Sequence, residues 1–308
     1  MKRRLWDHGD AGSLEEMMRR KHQCNASISV VIPTLNEAAT IGGIVSCIRR
    51  ELMDEMPFVD ELLVIDSDSS DDTLAIAKAT GATVYRAREI APEQGNHPGK
   101  GENLWKSQFV SHGSLVVFLD GDVENFHRGF VTGLCLPLLD DANVRFVKAF
   151  YQRPLVRDGV VFRGEGGRVT EILVKPLLSR YRPELCSILQ PLSGECAMPR
   201  AVMEQIIFPH GYEVEISHLL QIADCYGVDA IAQCDLGERQ HRNRSLGELS
   251  EMAHGIFQTI LQHSGDGGFP DGVYFRAQAQ NGACDMKEMR PFTGTRPARF
   301  LRSNDHEM

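Results

Sequence analysis

Two carboxylates separated by one glycine, Asp120 and Asp122, follow the apolar run 115–119. Residues two apart in an extended chain point to the same side, and Gly121 lets the backbone and a ligand approach closely. Such a pair can hold a hard divalent cation that also bridges a diphosphate. A solvated Asp-Gly turn has the same sequence, so the pair predicts a metal site only if other polar residues meet it.

Polar residues also follow two earlier apolar runs, as Pro-Thr-Leu-Asn-Glu at 33–37 and Asp-Ser-Asp-Ser at 66–69. Open α/β sheets bind ligands at the edge where the carboxyl ends of parallel strands meet. We therefore expect Glu37 and Asp66 to contact a nucleotide there. The acidic pair 71–72 is predicted to cap a helix instead.

Two cationic features have both a functional and an ordinary interpretation. Lys100, in His-Pro-Gly-Lys-Gly at 97–101, can reach a phosphate from between its glycines, although this is not the P-loop pattern and an exposed turn lysine would look the same. The run 239–244 carries four potentially cationic side chains and could be a solvated face. Within an active site it would offset the charge of anionic ligands, and this is the interpretation we favour.

The composition favours a small-molecule ligand. Among 308 residues, 42 acidic against 33 basic side chains give a formal charge of −9, which argues against nucleic acid or an anionic membrane as the main partner. No apolar run approaches the roughly 18 residues that span a bilayer, and no signal core follows the basic start, so we expect a cytoplasmic protein. Eight cysteines without a C-x-x-C pair are expected to be buried thiols.

Short apolar runs and helical stretches alternate along the first half, which predicts a parallel α/β unit. Strands are expected at 28–32, 61–65, 82–85, 114–119 and 144–151, and helices at 36–52, 71–80 and from near residue 102. Longer helices at 168–180, 213–226 and 245–263, with a short run at 230–234, predict a mixed second lobe that completes the sheet and forms one wall of a cleft. We divide the chain into a leader (1–27), a first subdomain (28–151), a second subdomain (152–264) and a loosely ordered tail (265–308).

The first half resembles the nucleotide-sugar-binding half of a GT-A glycosyltransferase. The motifs that carry this resemblance are Pro33–Glu37, Asp66–Ser69, Pro98–Gly101 and Asp120–Asp122. The second half is similar to glucosyl-3-phosphoglycerate synthases, through Gly166–Glu171, Gln190–Glu195, Gly211–Ile216 and His241–Arg244. Together the motifs are more specific than any single one. The resemblance implies an α/β, Rossmann-like GT-A fold with a mainly parallel sheet, a nucleotide-sugar-binding first subdomain and an acceptor-binding second subdomain.

The family's activity is retaining transfer of glucose from UDP-glucose to the 2-hydroxyl of 3-phosphoglycerate. The resemblance implies that the donor contacts Pro33, Thr34, Leu35, Glu37, Asp66, Lys100, Asp120, Gly121, Asp122, Leu192 and Glu215. Among these, the implied catalytic residues are Asp120, Glu215 and Lys100. The implied acceptor site is Gly167, Arg168, Thr170 and Asn243, and Asp122 and His241 would hold Mg²⁺ or Mn²⁺. Glu213 competes with Glu215, and only the position in the motif favours Glu215.

Two departures from the family pattern put the donor sugar in doubt, namely Asp68 in place of a glycine and Cys196 in place of an aromatic residue. A synthase of mannosyl-3-phosphoglycerate that uses GDP-mannose is the first alternative. A polyprenyl-phosphate glycosyltransferase would need a membrane-facing segment, and a non-catalytic nucleotide-sugar-binding protein would not need all four polar residues of the predicted centre. The resemblance also implies a homodimer and a route to glucosylglycerate.

Overall fold

The computed structural model describes residues 5–298 except 154, 158–159, 163–166, 241–245, 267–273, 281–282 and 290–294. Its centre is an eight-stranded sheet in the order β1-β11-β6-β9-β5-β2-β3-β4. The strands of this sheet are β1 (Leu5–Asp7), β2 (Ile28–Thr34), β3 (Glu61–Asp66), β4 (Thr83–Arg86), β5 (Leu115–Phe118), β6 (Phe146–Gln152), β9 (Cys196–Pro199) and β11 (Ile231–Glu238). Smaller pairs are formed by β7 (Leu155–Arg157) with β8 (Val160–Phe162), β10 (Phe208–Pro209) with β14 (Thr295–Arg296), and β12 (Tyr274–Gln280) with β13 (Ala283–Met289).

The central sheet separates two apolar layers because its strands are buried on both faces. Val30 and Ile32 of β2 pack into one layer, and Val31 packs into the other. The α-helices are α1 (Leu14–Gln23), α2 (Ile41–Arg49), α3 (Thr73–Ala79), α4 (Lys100–Ser107), α5 (Gly129–Asp140), α6 (Lys175–Tyr181), α7 (Arg200–Met203), α8 (Val214–Tyr226) and α9 (Leu246–His263). Helices α1, α2 and α5 contribute to the first layer, and α4, α6, α8 and α9 contribute to the second.

The predicted strands and most predicted helices are confirmed, with shifts of a few residues at their ends. Helix α2 begins at Ile41 rather than at residue 36, because Asn36 has a positive φ of 60° and ends the preceding strand in a turn. The helix predicted at 168–180 is divided into a π-helical segment, Thr170–Val174, and α6. Helix α5 was not predicted. It is apolar on all sides and nearly all buried, so it lacks the periodic pattern by which a surface helix is recognised.

One strand of the sheet runs against the others. Strand β9 is antiparallel to both β5 and β6, whereas the remaining pairs in the sheet are parallel. The sheet is therefore mainly parallel, as predicted. The start of β9 lies at the same edge as the ends of its neighbours, and this brings the residues just before Cys196 to the edge where ligands bind.

The division that set residues 1–27 apart as a leader needs correction. Strand β1 forms the outer edge of the central sheet, where Trp6 pairs with Cys234 of β11. Met17 of α1 is fully buried in the first apolar layer. This segment belongs to the main body because its few apolar side chains are spaced to reach the core.

The expectation of a loosely ordered tail is also wrong for residues 295–298. Arg296 is nearly buried and makes a two-pronged ion pair with Glu102 of α4, at 2.7 and 2.8 Å. Trp105 donates its indole N–H to the Pro297 carbonyl at 3.0 Å. The stretches 267–273, 281–282, 290–294 and 299–308 lie outside the described residues.

Cysteine burial was predicted correctly only in part. Cys135, Cys196 and Cys234 are buried, but three others, Cys24, Cys186 and Cys225, are exposed. The seven cysteines for which the structure describes side chains are all free thiols.

Candidate active site

A cluster of charged side chains lies at the carboxyl edge of the parallel strands. Asp120 follows β5, Arg239 follows β11, and Lys100 and Glu215 stand in the first turns of α4 and α8. Lys100 contacts Asp120 Oδ1 and donates to Glu215 Oε1 at 2.7 Å. The three predicted catalytic residues therefore meet, although more than 100 residues separate Lys100 from Glu215.

The charges of this cluster keep one another ionised. Burial lowers the pKa of Lys100, but the carboxylates of Asp120 and Glu215 outweigh it and hold that pKa well above its usual range. Burial likewise raises the pKa of Asp120, and the positive charges of Lys100 and Arg239 reverse this and hold it well below its usual range. Lys100, Asp120 and Arg239 are thus fixed charges at neutral pH.

Two glycines allow the approach that positions Lys100. A Cβ on Gly99 would collide with the His210 carbonyl oxygen, and one on Gly101 would collide with the Pro209 carbonyl oxygen. Gly99 also has a φ of +124°, which side-chain-bearing residues rarely adopt. The amide of Glu102 donates to His210 O at 3.1 Å and completes the contact between α4 and residues 209–210.

Arg239 joins the two carboxylates of the Asp-Gly-Asp motif, Asp120 and Asp122. Its Nη2 lies 2.9 Å from Asp120 Oδ2 and 2.6 Å from Asp122 Oδ1. Its Nε lies 3.1 Å from Glu195 Oε1, and its Nη1 donates to Tyr151 Oη at 3.1 Å. The only sequence signals for Arg239 and Glu195 were their places in the basic run and in the Gln190–Glu195 motif, and Tyr151 had none.

Gly194 is a further residue that sequence reasoning missed. A Cβ at this position would lie 2.5 Å from Asp120 Oδ1, 2.6 Å from Oδ2 and closer still to Lys100 Nζ. Only a glycine lets the chain entering β9 pass this close to the charged cluster.

The donor set suits a divalent cation that a ligand helps to hold. Among the described residues, no three His, Cys, Asp or Glu side chains are grouped to bind a metal by themselves. Mg²⁺ commonly takes one or two carboxylates and completes its shell with substrate phosphates and water. Asp122, whose side chain is 24% exposed, is the predicted ligand within reach of such a shell.

Other predicted donor residues line the same edge. Leu35 is 54% exposed, and Pro33 and Glu37 are half-buried. Gly121 lies against the β2 end, where an added Cβ would be 3.1 Å from Thr34 Cγ2 and 3.3 Å from Glu37 Cγ. The first motif and the Asp-Gly-Asp motif therefore pack against each other as predicted.

The expected ligand contact of Asp66 stays a prediction, and the structure gives its carboxylate a further role. Asp66 has no exposed surface, and its carboxylate accepts hydrogen bonds from Thr34 Oγ1 at 3.0 Å, from Ser69 N at 2.8 Å and from Ser69 Oγ at 2.5 Å. These bonds assign Asp66 to ordering the turn after β3. Asp71 accepts from the amide of Thr73 at 3.0 Å, consistent with the predicted capping, whereas Asp72, the N-cap residue of α3, makes no side-chain capping hydrogen bond.

A cavity of about 540 Å³ lies beside the cluster and contains part of the predicted acceptor site. Gly167 and Thr170 line it, as does Leu192 from the predicted sugar pocket. Arg168 stands between the first two in sequence and is half-buried. Tyr151 belongs to both the cavity wall and the network of Arg239, so it joins the two parts of the site.

Three residues of the predicted site region lie outside the described part of the chain. They are His241 of the metal site, Asn243 of the acceptor site and Gly166 of the acceptor motif. The competition between the two glutamates is clearer. Glu215 contacts Lys100, whereas Glu213 accepts from the amide of Gly211 at 3.3 Å and has its pKa raised by burial.

Known proteins are similar to this chain in sequence and in fold. Residues 29–155 match the sequence model of glycosyl transferase family 2. Glucosyl-3-phosphoglycerate synthase from Petrotoga mobilis is 44% identical over 84% of this chain and 80% of its own length. The chain belongs to the glucosyl-3-phosphoglycerate synthase family. The Mycobacterium tuberculosis synthase is 47% identical over 78% of this chain and 74% of its own length.

Crystal structures of the M. tuberculosis synthase extend the similarity to the fold. The complex of that enzyme with Mn²⁺, UDP and glucosyl-3-phosphoglycerate has a TM-score of 0.85 and 39% identity, covering 97% of this chain and 99% of that one. Its complex with Mg²⁺ and UDP has a TM-score of 0.85 and 40% identity, covering 96% and 98%. These similarities confirm the predicted GT-A family and fold. In the described part of this family member, no helix is long and apolar enough to cross a bilayer.

Proposed function

We propose that this synthase-family chain transfers glucose from UDP-glucose to the 2-hydroxyl of 3-phosphoglycerate, with retention at the anomeric carbon and release of UDP. The structural observation that carries the proposal is the ion-paired group of Lys100, Asp120 and Glu215 beside a cavity lined by Gly167 and Thr170. Crystals of the M. tuberculosis relative contain Mn²⁺, UDP-glucose and phosphoglyceric acid together, which supports the same pair of substrates here. Residues 28–151 would supply most of the donor site and residues 152–264 most of the acceptor site.

Asp122 and His241 would hold Mg²⁺ or Mn²⁺, which when bound supplies positive charge against the diphosphate. Lys100 would also donate to the diphosphate and stabilise the charge that develops on departing UDP. This arrangement requires Lys100 to share its three donors between the ligand and the two carboxylates.

The glucose would lie between Asp120 and Leu192, with Glu215 accepting hydrogen bonds from its hydroxyls. Both carboxylates are paired with Lys100, and this pairing lowers their reactivity toward the anomeric carbon. We therefore assign neither as a nucleophile. Attack by the acceptor hydroxyl on the face that UDP leaves, assisted by the diphosphate, accounts for retention.

The decisive experiment incubates the purified chain with UDP-glucose, other UDP-sugars, GDP-glucose or GDP-mannose, each with 3-phosphoglycerate and Mg²⁺. We expect a product with the mass of glucosyl-3-phosphoglycerate and the anomeric coupling of an α-linkage from UDP-glucose. Preference for GDP-mannose would replace the proposed donor. No product from any donor would overturn the function.

Chelation tests the cation. Excess EDTA should abolish transfer and added Mg²⁺ or Mn²⁺ should restore it, whereas Asp122→Ala should stay inactive with either metal. His241→Ala should weaken the metal dependence and leave the fold intact, as shown by an unchanged melting temperature. An EDTA-resistant rate would contradict the metal assignment.

Glu215→Gln tests the sugar contact because the amide keeps the size but loses the charge. We expect UDP affinity to be retained and turnover to fall, while wild-type turnover would remove Glu215 from the site.

We also propose a cytoplasmic homodimer, on the family resemblance. Light scattering at two protein concentrations should give twice the mass of the chain.

A further inference from the structure

Arg153 follows β6 directly and contacts Tyr151 at the wall of the cavity. It lines the 540 Å³ cavity, its guanidinium carbon lies 4.9 Å from the centre of the Tyr151 ring, and its Nη2 donates to Tyr151 Oη at 2.7 Å. Its Nε is buried without a hydrogen-bond partner. Within the described residues, no carboxylate lies within 4.0 Å of its guanidinium.

Arg239 provides the contrast. It also donates to Tyr151 Oη, but its charge is offset by the carboxylates of Asp120, Asp122 and Glu195. A buried or half-buried guanidinium is costly unless an anion offsets its charge and accepts its hydrogen bonds. Because Arg153 lines a cavity and meets no such group there, the geometry points to an anionic ligand as its partner.

The position of Arg153 distinguishes which anion that is. Tyr151 Oη accepts from both Arg153 and Arg239, and Arg239 in turn contacts Asp120, so Arg153 stands at the end of the cavity that is close to the reacting centre. The residues predicted to bind the acceptor, Gly167 and Thr170, line the cavity from another element, the start of the helical segment that leads into α6. The acceptor has two anionic groups to match, a carboxylate next to the reacting hydroxyl and a phosphate one carbon further away.

We propose that Arg153 binds the carboxylate of the acceptor and that the Gly167–Thr170 segment binds its phosphate. This assignment rests on the proposed function. A guanidinium presents two parallel donors that match a carboxylate, and fixing the carboxylate also fixes the neighbouring hydroxyl relative to the sugar. Arg153 is therefore a specificity-determining residue that selects a 2-hydroxy acid over the corresponding alcohol.

Acceptor analogues test the two ends of the cavity separately. Glycerol 3-phosphate lacks the carboxylate and glycerate lacks the phosphate, and kcat/KM is measured for both and for 3-phosphoglycerate. The wild-type enzyme should strongly prefer 3-phosphoglycerate to either analogue. Arg153→Gln should lower kcat/KM for 3-phosphoglycerate by tens to about a hundredfold, as expected for the loss of a charge-assisted contact. It should change the value for glycerol 3-phosphate by less than about threefold.

Two further variants make the result specific. Arg153→Lys should rescue only part of the activity on 3-phosphoglycerate, because an ammonium cannot reproduce the paired donors. The matched control is Arg168→Gln. This variant should reduce the preference for 3-phosphoglycerate over glycerate and leave the preference for 3-phosphoglycerate over glycerol 3-phosphate unchanged. UDP affinity, measured by calorimetry, should stay within about twofold of wild type in all three variants.

The outcomes separate this inference from the function on which it rests. The carboxylate assignment is overturned, while the function stands, if Arg153→Gln lowers kcat/KM equally for 3-phosphoglycerate and glycerol 3-phosphate. It is also overturned if the variant keeps the wild-type preference for 3-phosphoglycerate over glycerol 3-phosphate. If Arg153→Gln does not fold, an undiminished preference in the folded Arg153→Lys variant overturns the assignment in the same way. If the wild-type enzyme does not use 3-phosphoglycerate, the proposed function fails and this assignment fails with it.

Discussion

The donor and acceptor sides of the site differ in where their charges find partners. On the donor side, Lys100 contacts Asp120 and Glu215, and Arg239 contacts both acidic residues of the Asp-Gly-Asp motif. On the acceptor side, Arg153 meets no carboxylate of the described chain. The donor side is thus organised by the protein's own ion pairs. On the acceptor side Lys175 pairs with Glu171, but Arg153 is left for the charge of the proposed ligand. A substitution on the donor side should change turnover, and one on the acceptor side should change the Michaelis constant for the acceptor.

The largest effect should come from the residue that anchors the chain near Lys100. Arg296 pairs with buried Glu102 and donates to the carbonyl of Gln94 at 2.7 Å. Arg296→Gln should cost on the order of 3 to 5 kcal/mol of unfolding free energy, because it leaves the Glu102 carboxylate buried without its partner. Urea unfolding measures this loss. Arg20→Gln, which removes a more exposed pair with Asp140, should cost less than about 1 kcal/mol, and an equally small loss for Arg296→Gln would contradict the anchoring role.

Gly194→Ala should break the organisation of the donor side without breaking the fold. The added Cβ would displace Asp120 and Lys100, and a shift of about 1 Å in a reacting centre can lower kcat about a hundredfold. Steady-state kinetics at saturating acceptor should show the loss in kcat. The control is Gly43→Ala, since nothing lies within 4 Å of a Cβ at that position of α2. Equal activity of the two variants would show that the cluster tolerates displacement.

Thr170→Val should act on the acceptor side alone. The hydroxyl lines the cavity, and losing one hydrogen bond to a charged ligand typically costs about tenfold in affinity. The Michaelis constant for 3-phosphoglycerate should rise by about that factor while the constant for UDP-glucose is unchanged. Thr132→Val in α5 is the matched control, because its hydroxyl bonds within its own helix. A rise in both constants for Thr170→Val would contradict the separation of the two sides.

The smallest predicted effect concerns His218 and the pH dependence of stability. His218 of α8 is buried, and burial together with the charge of Lys148 lowers its pKa from 6.5 to about 3. Because the pKa of His218 is lower in the folded than in the unfolded protein, its contribution to stability is complete above pH 6.5. This contribution is lost as the pH falls from 6.5 toward 3. Wild type should lose about 1 kcal/mol more than His218→Gln between pH 6.5 and 5.5 in denaturant titrations. His22→Gln, at an exposed site of α1, should follow wild type, and the same pH dependence in His218→Gln would contradict the assignment.

The strands and the charged cluster could be predicted for a common reason. Strands buried on both faces appear as continuous apolar runs, and in a parallel arrangement their carboxyl ends meet, so the residues after β2 and β5 were expected to be neighbours. The position of the residues before β9 could not be predicted, because β9 runs antiparallel to its neighbours and a strand of only four residues does not reveal its direction. Arg296 could not be paired with Glu102 because 194 residues lie between them and neither stands in a distinctive pattern.

The position of strand β1 in the sheet limits when folding can be completed. Its neighbour in the sheet is β11, and His8 bonds to the Asp235 carbonyl 227 residues away. A contact so distant in sequence carries a large loop-closure entropy, and during synthesis it has no partner until most of the chain has been made. Strand β1 should therefore remain unpaired until β11 has been made and has folded. Slowed translation or a bulky fusion directly ahead of Leu5 would prolong that exposure and favour edge-to-edge aggregation before the enzyme is ever active.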